Sequence, residues 1–392
     1  MQYKIGDQLE LRIERIVPNG FGIGFADGLT VFTPLTASGD RVRVQIVQLK
    51  KRIAFAEIVE VLEPSPVRVE PPCQYFGTCG GCDFQQMTYP AQLEAKVAIV
   101  RDCLKRIAQI DWPGEISVVP SPQEYAYRSR AQWHVDPAVK RLGYLKRNSH
   151  EVVDIETCVV LAPELDAQLR RLRGEIPWET FWDETSRIDA AAGDNGEISI
   201  YSSDLTEPTK EISSAVADER FAYSAQAFFQ GNRYMVDKLV DAALKDAKGG
   251  TALDLYSGVG LFALPLARSF ENVTAVEENE RAVEFARRNA EAAGLENFQF
   301  IADSVKRFLQ TDNSDRADLV LLDPPRSGAE PETIKRIAER RPNVISYVSC
   351  EPSMLARDLR VFLDNGYSIK FVTVLDMFPQ THHVETVVRL SV

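Results

Sequence analysis

Thr251-Ala252-Leu253-Asp254-Leu255-Tyr256-Ser257-Gly258-Val259-Gly260 decides how the C-terminal half of the chain is read. It begins as a buried strand, turns on two glycines and runs into a helical pattern over Phe262 to Phe270. Strand, glycine turn and helix make the first unit of a doubly wound α/β sheet, which binds ligands beyond the carboxyl ends of its strands. The pattern repeats outward. Val273 to Glu277 is a second strand ending in a carboxylate, a helix spans 280–293, and Phe298 to Ala302 is a third strand followed by Asp303. A fourth strand starts at Ala317 and runs into Asp323-Pro324-Pro325-Arg326. The fifth, Val344 to Ser349, delivers Cys350 into a turn opened by Glu351-Pro352, because a residue before proline avoids helical geometry. Tyr367 to Met377 and Glu385 to Val392 close the sheet as two final strands.

A glycine turn after the first strand serves both NAD and S-adenosyl-L-methionine sites. Three details favour adenosylmethionine: the spacing D-x-x-x-G-x-G from Asp254 to Gly260, the acid at the end of strand two, and the terminal strand pair. Gly258 and Gly260 allow close backbone approach, Tyr256 lines the pocket, Glu277 takes the ribose hydroxyls and Asp303 faces the adenine amino group. The expected fold is a Rossmann-like class I methyltransferase over residues 216–392.

Upstream, residues 1–62 alternate apolar and polar positions over short runs broken by glycine, without a helix pattern, as in a small five-stranded OB-type barrel. Phe21, Phe25 and Phe32 belong either to a nucleic-acid-binding face or, as is commoner in so small a barrel, to its core. Glu63-Pro64-Ser65-Pro66 and Glu70-Pro71-Pro72 mark a linker. Cys73, Cys79 and Cys82 follow in C-x5-C-x2-C spacing with Gly77, Gly80 and Gly81, and Cys158 is the nearby cysteine in a non-helical context. Four thiolates suit zinc or a [4Fe-4S] cluster, and the five-residue gap favours iron–sulfur. Residues 91–110 pattern as an amphipathic helix, with Leu93, Val97, Val100, Leu104 and Ile107 on its stripe and Cys103 beside it. This helix is a candidate to pack on the catalytic domain. Tyr125 to His134 and Gly143 to Arg147 interleave aromatic and basic residues, a pattern suited to phosphate contact and base stacking. Residues 160–215 read as acidic and irregular. The central unit, residues 63–215, is expected to be a β-rich iron–sulfur, RNA-binding domain.

The N-terminal barrel resembles the TRAM domain of RNA-modifying enzymes. Phe228-Phe229-Gln230-x-Asn232, DLYSGVG, DPPR, SCEP and DMFPQTHHVE together resemble the RNA (uracil-5-)-methyltransferases over essentially the whole chain. The cysteine set and the barrel are similar to the 23S ribosomal RNA branch with TRAM and a [4Fe-4S] cluster. The resemblance implies that Gln230, Tyr256, Glu277 and Asp323 contact adenosylmethionine. Carbon 5 of uracil is too weak a nucleophile to take a methyl group unaided. A thiolate adding at carbon 6 creates an enolate that can, which is covalent catalysis. Cys350 is the expected nucleophile and Glu385 the base that removes the carbon 5 proton, with His382 and His383 as alternatives. Asp323 and Gln230 are expected at the uracil edge or the cofactor, and Arg326 at a phosphate. The sequence departs from the family at Leu261, where some members have an asparagine at the cofactor, and at Glu351, commonly asparagine.

A net charge of −12 does not by itself suggest nucleic acid, but the charge is uneven. Arg41 to Arg52 holds five basic residues and no acid, and Arg128 to Arg147 holds six against Asp136 alone. No apolar run opens the chain and none is long enough to span a membrane. The expectation is a cytoplasmic monomer acting on 23S ribosomal RNA, its six cysteines free of structural disulfides. Transfer RNA methylation and a non-catalytic iron–sulfur RNA-binding factor are the alternatives.

Overall fold

Gly22 and Gly24 shape the N-terminal unit. In the computed structural model, which describes residues 3–181, 186–205, 208–312 and 316–392, a Cβ on Gly22 would lie 2.0 Å from Thr36 Oγ1. One on Gly24 would lie 2.4 Å from Leu11 Cδ1 and 2.6 Å from the Arg12 carbonyl oxygen. These two positions must face inward, so Phe21, Ile23 and Phe25, alternating with them, face the other way. The phenylalanines are therefore not the barrel's core. Leu9, Leu11, Ile13, Val31, Val42, Val44 and Ile46 fill it instead.

The strands are β1 (Gln8–Arg12), β2 (Arg15–Val17), β3 (Phe21–Ala26), β4 (Leu29–Thr33), β5 (Arg41–Lys50) and β6 (Ile53–Glu63), ordered β1-β5-β6-β4-β3-β2. The barrel has six strands rather than the five expected, because its first stretch divides into β1 and β2. Arg41 and Arg43 do not form a free basic patch. They sit in a cross-strand ladder with Glu10, Glu60 and Glu63 at 2.5–3.0 Å.

Helix α1 (Tyr89–Arg106) and β7 (Ile116–Val119) follow. The buried face of α1 carries Gln92, Lys96, Ile99, Val100, Cys103 and Leu104, while Ile107 is exposed. The helix stops short of residue 110. It lies between the barrel and the C-terminal sheet, sharing a core with Ile16, Phe84 and Ala356.

The central sheet runs β10 (Val152–Asp154), β9 (Arg141–Leu145), β8 (Arg130–Asp136), β11 (Arg187–Ala192), β12 (Ile198–Tyr201). Helix α2 (Pro163–Glu175) packs on it through Leu165 and Leu169, so the stretch read as irregular is partly regular. Trp133 and Tyr127 are buried, and the Arg130 guanidinium donates to the Ala225 and Ala227 carbonyls. The aromatic–basic stretch is thus largely interior. Arg141 and Lys146 pair with Glu151.

A hairpin, β13 (Ile212–Val216) and β14 (Glu219–Tyr223), leads through α3 (Val236–Leu244) into the last sheet. Its strands are β15 (Gly249–Leu255), β16 (Phe270–Glu277), β17 (Phe298–Ala302), β18 (Leu319–Leu322), β19 (Val344–Ser349), β20 (Ser368–Leu375) and β21 (Glu385–Ser391). They are ordered β17-β16-β15-β18-β19-β21-β20-β7, with only β21 running antiparallel to its neighbours. Helices α3, α4 (Ala263–Ala267) and α5 (Glu280–Ala292) cover one face. Helices α1, α6 (Val305–Thr311), α7 (Pro331–Arg340) and α8 (Pro352–Asp364) cover the other. This is the expected doubly wound fold, extended at its edge by β7, which the sequence reading did not include. Among the described residues no helix is long and apolar enough to cross a membrane.

Candidate active site

The carboxyl ends of the parallel strands bring most of the expected residues to one edge. After β15 the chain turns through Tyr256, Gly258 and Gly260, all at positive φ (+67°, +53° and +92°). The Tyr256 and Ser257 amides both donate to the Val276 carbonyl at 3.0 Å, folding the turn against the end of β16. There Glu277 accepts from the Gly258 amide at 3.0 Å and the Asn279 amide at 2.8 Å, which fixes its carboxylate beside the turn. A Cβ on Gly258 would meet nothing within 4 Å, so that backbone is open to an approaching group. On Gly260 it would lie 2.7 Å from Leu264 Cδ1; this glycine serves packing. Asp303 sits next along, its amide 3.1 Å from the Glu277 carbonyl and its carboxylate accepting from Ser304 at 2.8 Å. Glycine turn, Glu277 and Asp303 form one continuous rim. Leu261 is buried and takes no part in it.

The second half of the edge is a cluster of acids around a thiol. Asp323, after β18, is held by its amide to the Leu255 carbonyl at 3.3 Å, with Gln230 Nε2 3.4 Å from its Oδ2. Gln230 is buried, placed by Phe229, which stacks on Tyr223 at 4.3 Å. Cys350 follows β19, and Glu351 caps α8 through the Ser353 amide and hydroxyl, which accounts for its presence after the thiol. Glu385 opens β21 and is only 3% exposed, with Oε1 lacking a hydrogen-bond partner.

Burial and mutual repulsion dominate the electrostatics. Burial, Glu385 and Asp323 together push the Cys350 thiol up to about 12. Burial raises Asp323 to about 7. Burial and the Asp323 charge hold the Glu385 carboxyl well above the usual range. Arg326, exposed at the rim, opposes both shifts at Cys350 and Glu385. Asp254, fully buried beneath the turn, is also raised, first by burial and then by Asp323; the Ala263 amide approaches without closing a hydrogen bond. Desolvation and neighbouring cations depress His383 to about 2, so it is neutral across the working range. His382 is committed elsewhere: its amide and ring Nδ1 contact the Asp83 carboxylate at 2.7 and 2.5 Å.

The loop before Glu385 is anchored by partners the sequence reading missed. Lys96 on α1 pairs with Asp376 at 2.5 Å and donates to the Phe378 carbonyl at 2.9 Å, in full burial. Gln92 exchanges hydrogen bonds with Gln380, and Tyr127 donates to the Pro379 carbonyl. Lys96 and Gln92 as polar residues on a helix's apolar face were the available signal. Asn232 donates to Ser121 Oγ, a structural role, while Phe228 is 64% exposed over Arg130. The four expected ligand cysteines lie apart from this edge. Cys73, Cys79, Cys82 and Cys158 line one cavity with Tyr75, Arg128 and Tyr144. Cys103 is buried in the core around α1.

Known proteins resemble this chain over nearly its whole length. A model of tRNA (uracil-5-)-methyltransferases matches residues 207–392, and a TRAM-domain model of tRNA (uracil(54)-C(5))-methyltransferases matches 9–67. An uncharacterized RNA methyltransferase of Halalkalibacterium halodurans is 31% identical over 98% of this chain and 97% of its own length. Another, from Bdellovibrio bacteriovorus, is 32% identical over 99% and 96%. The crystal structure of Pyrococcus abyssi tRNA (uracil-54, C5)-methyltransferase in complex with S-adenosyl-L-homocysteine superposes with a TM-score of 0.75 at 28% identity, covering 97% of this chain and 100% of that one. The chain belongs to the RNA (uracil-5-)-methyltransferase family and carries a TRAM domain at its N-terminus.

Proposed function

We propose that the protein methylates carbon 5 of a uridine in 23S ribosomal RNA, in the cytoplasm and as a monomer, using S-adenosyl-L-methionine. The observation that carries this reading is the convergence of Cys350, Glu385 and Asp323, whose charges act on one another at the end of the sheet. The division of labour is a TRAM barrel over 1–62, a central RNA-binding unit over 63–215 and the methyltransferase over 216–392.

The rim of Tyr256, Gly258, Gly260, Glu277 and Asp303 would hold the cofactor, with Gln230 and Asp323 at its reactive end. Adenosylmethionine, when bound, supplies the methyl group from its sulfonium. The chain's own residues do the rest. The Cys350 sulfur adds to carbon 6 of the uracil, and the resulting enolate makes carbon 5 nucleophilic. Once carbon 5 is methylated, Glu385 takes its remaining proton, the carbon 5–carbon 6 double bond re-forms and the thiolate leaves. A buried carboxylate with a raised pKa is a stronger base than an exposed one, so desolvation serves this step. Arg326 favours the anionic forms that both residues need. A duplexed target must first be flipped out, at about a few kcal/mol.

Cys73, Cys79, Cys82 and Cys158 fit a [4Fe-4S] cluster as a donor set. Among the described residues no group of three or more His, Cys, Asp or Glu is arranged to grip a metal ion. All four nevertheless line one cavity, and four thiolates are the donor set that a [4Fe-4S] cluster takes. Burial keeps the Cys158 thiol up at about 11 and raises Cys79 and Cys82, which the buried Arg128 cation opposes at Cys79 and Cys158. Such a cluster would supply structural cross-linking.

RNA containing 5-fluorouridine tests the mechanism, since fluorine cannot leave as a proton. A stable protein–RNA adduct requiring adenosylmethionine is expected, and undiminished adduct in Cys350→Ala refutes the assignment. Transfer RNA is the second reading, favoured by the P. abyssi relative. Mapping 5-methyluridine in ribosomal and transfer RNA with and without the protein decides between the two.

A further inference from the structure

The barrel carries an aromatic cluster that its own core does not use. Phe32 and Phe55 stack at 5.4 Å with ring planes 24° apart, and Phe21 stands edge-on to both at 6.4 and 5.7 Å. None of the three joins the barrel core. They share one outer face: Ile23 lies opposite Phe32, Phe32 opposite Phe55, and Phe21 is two residues from Ile23. Phe25 and Ile53 extend this face at 52% and 42% exposure. Phe21, Phe32 and Phe55 are half-buried against one another and Ile23 is buried beneath them, so the face offers ring edges and the exposed Phe25 and Ile53 rather than a flat open sheet. The inward glycines explain why these side chains stay outside the barrel, but not why an aromatic cluster is kept at its surface.

Charge and position indicate what covers it. The Thr30 amide donates to the Arg52 carbonyl at 2.8 Å, setting the exposed Lys50-Lys51-Arg52 turn at one end of the aromatic rows. Arg15 lies opposite Ile23 and reaches Asp102 at 3.8 Å. Glu57 sits two residues beyond Phe55, at the other end. At the start of β3, a Cβ on Gly20 would lie 3.0 Å from His382 Cβ, so the face begins where the barrel abuts the loop leading to Glu385. Rings with a cationic border suit unpaired nucleotides, whose bases stack while their phosphates meet lysine and arginine.

We propose that the outer face built on Phe21, Phe32 and Phe55, with Phe25 at its margin, is a stacking platform for single-stranded nucleotides flanking the target uridine. The proposal rests on the RNA-methylating reading above. It assigns base stacking to the barrel, in place of the interior aromatic stretch around Trp133.

The test is binding of fluorescein-labelled dodecauridine to the full chain, followed by anisotropy over a salt series. Phe32→Leu/Phe55→Leu keeps the surface apolar but removes the rings, and should raise Kd about tenfold or more; Phe25→Ser, the least packed, should raise it about fivefold. Neither should change the slope of log Kd against log salt, whereas Lys51→Gln/Arg52→Gln should lower it by about one to two. Unchanged Kd in both phenylalanine variants overturns the platform, as does a wild-type dimer that Phe25→Ser dissolves without weakening RNA binding. The 5-fluorouridine adduct is scored on the same preparations. An adduct with unchanged Kd refutes the platform alone, while its absence in wild-type protein refutes uridine methylation.

Discussion

Replacing Lys96 by methionine tests how the catalytic loop is held. Lys96 Nζ lies 2.5 Å from Asp376 Oδ1 and 2.9 Å from the Phe378 carbonyl oxygen, and neither side chain of the pair is exposed to water. Methionine fills most of the lysine volume but removes the ammonium, leaving a buried carboxylate without its cation. Removing one partner of a buried pair costs about 3–5 kcal/mol. For a chain of this size that should lower the melting temperature by about 4–6 °C. Replacing both partners, as Lys96→Met/Asp376→Leu, should recover most of the loss, because an apolar pair has no charge to desolvate. Scanning calorimetry of wild type, single and double variants gives the numbers. Methylation measured well below the transition should still fall in the single variant, because Asp376 to Val384 is the segment that delivers Glu385. A single variant melting within 2 °C of wild type, or a double variant no better than the single, refutes the argument.

Activity should rise with pH, because Cys350, pushed up to about 12, and Glu385, held above the usual carboxylate range, must lose protons to act. Arg326→Gln removes the cation that lowers Cys350 and Glu385, so its kcat/KM profile should move to higher pH; a shift of about one unit costs roughly tenfold at pH 7. An unmoved profile removes Arg326 from the chemistry. Gly258→Ala should weaken S-adenosylhomocysteine binding more than tenfold by calorimetry, since its φ of +53° and open Cβ direction mark close approach; the left-handed backbone itself costs only about 1–2 kcal/mol. Wild-type binding in that variant refutes the cofactor rim. Anaerobically purified protein should be brown, and Cys158→Ser should bleach it. A colourless wild type with stoichiometric zinc overturns the cluster.

Legibility in the sequence followed the range of the forces involved. The central strands of the last sheet are buried on both faces, so continuous apolar runs such as Val344 to Ser349 mark them within a residue or two. Their ends carry Glu277, Asp303, Asp323 and Cys350 because the topology puts every parallel strand's end on one edge. Helix α1 was legible as a helix but not in its facing: the pattern favours Leu93, Val97 and Ile107, whereas the buried face includes Lys96 and Gln92. Their partners lie 280 and 288 residues away, beyond any local pattern. The same limit hid the neutralisation of Arg41 and Arg43 by Glu10, Glu60 and Glu63. The outward turn of Phe21 depended on the crowding behind Gly22, which only the folded barrel reveals. Helix α2 escaped because its charged outer face masked the spacing of Leu165 and Leu169.

The loop from Asp376 to Val384 lacks regular structure, yet on the proposed mechanism it must present Glu385 to within a fraction of an ångström. Its backbone includes Gln380 at a φ of +69°, a conformation that persists only where surroundings impose it. Those surroundings come from three parts of the chain. The Asp83 and Phe84 amides donate to the Gln380 carbonyl at 3.1 and 3.0 Å, Gln92 binds both its amide and its side chain, and Tyr127 holds Pro379. Asp83 also directly follows Cys82, so anything that orders the cysteine loop orders the clasp on His382 and, three residues later, Glu385. A cluster on those four thiols therefore needs no redox function to matter to methylation. Cross-linking Cys82 to Cys158 through an inorganic core would brace the side of the catalytic loop that has no strand to support it.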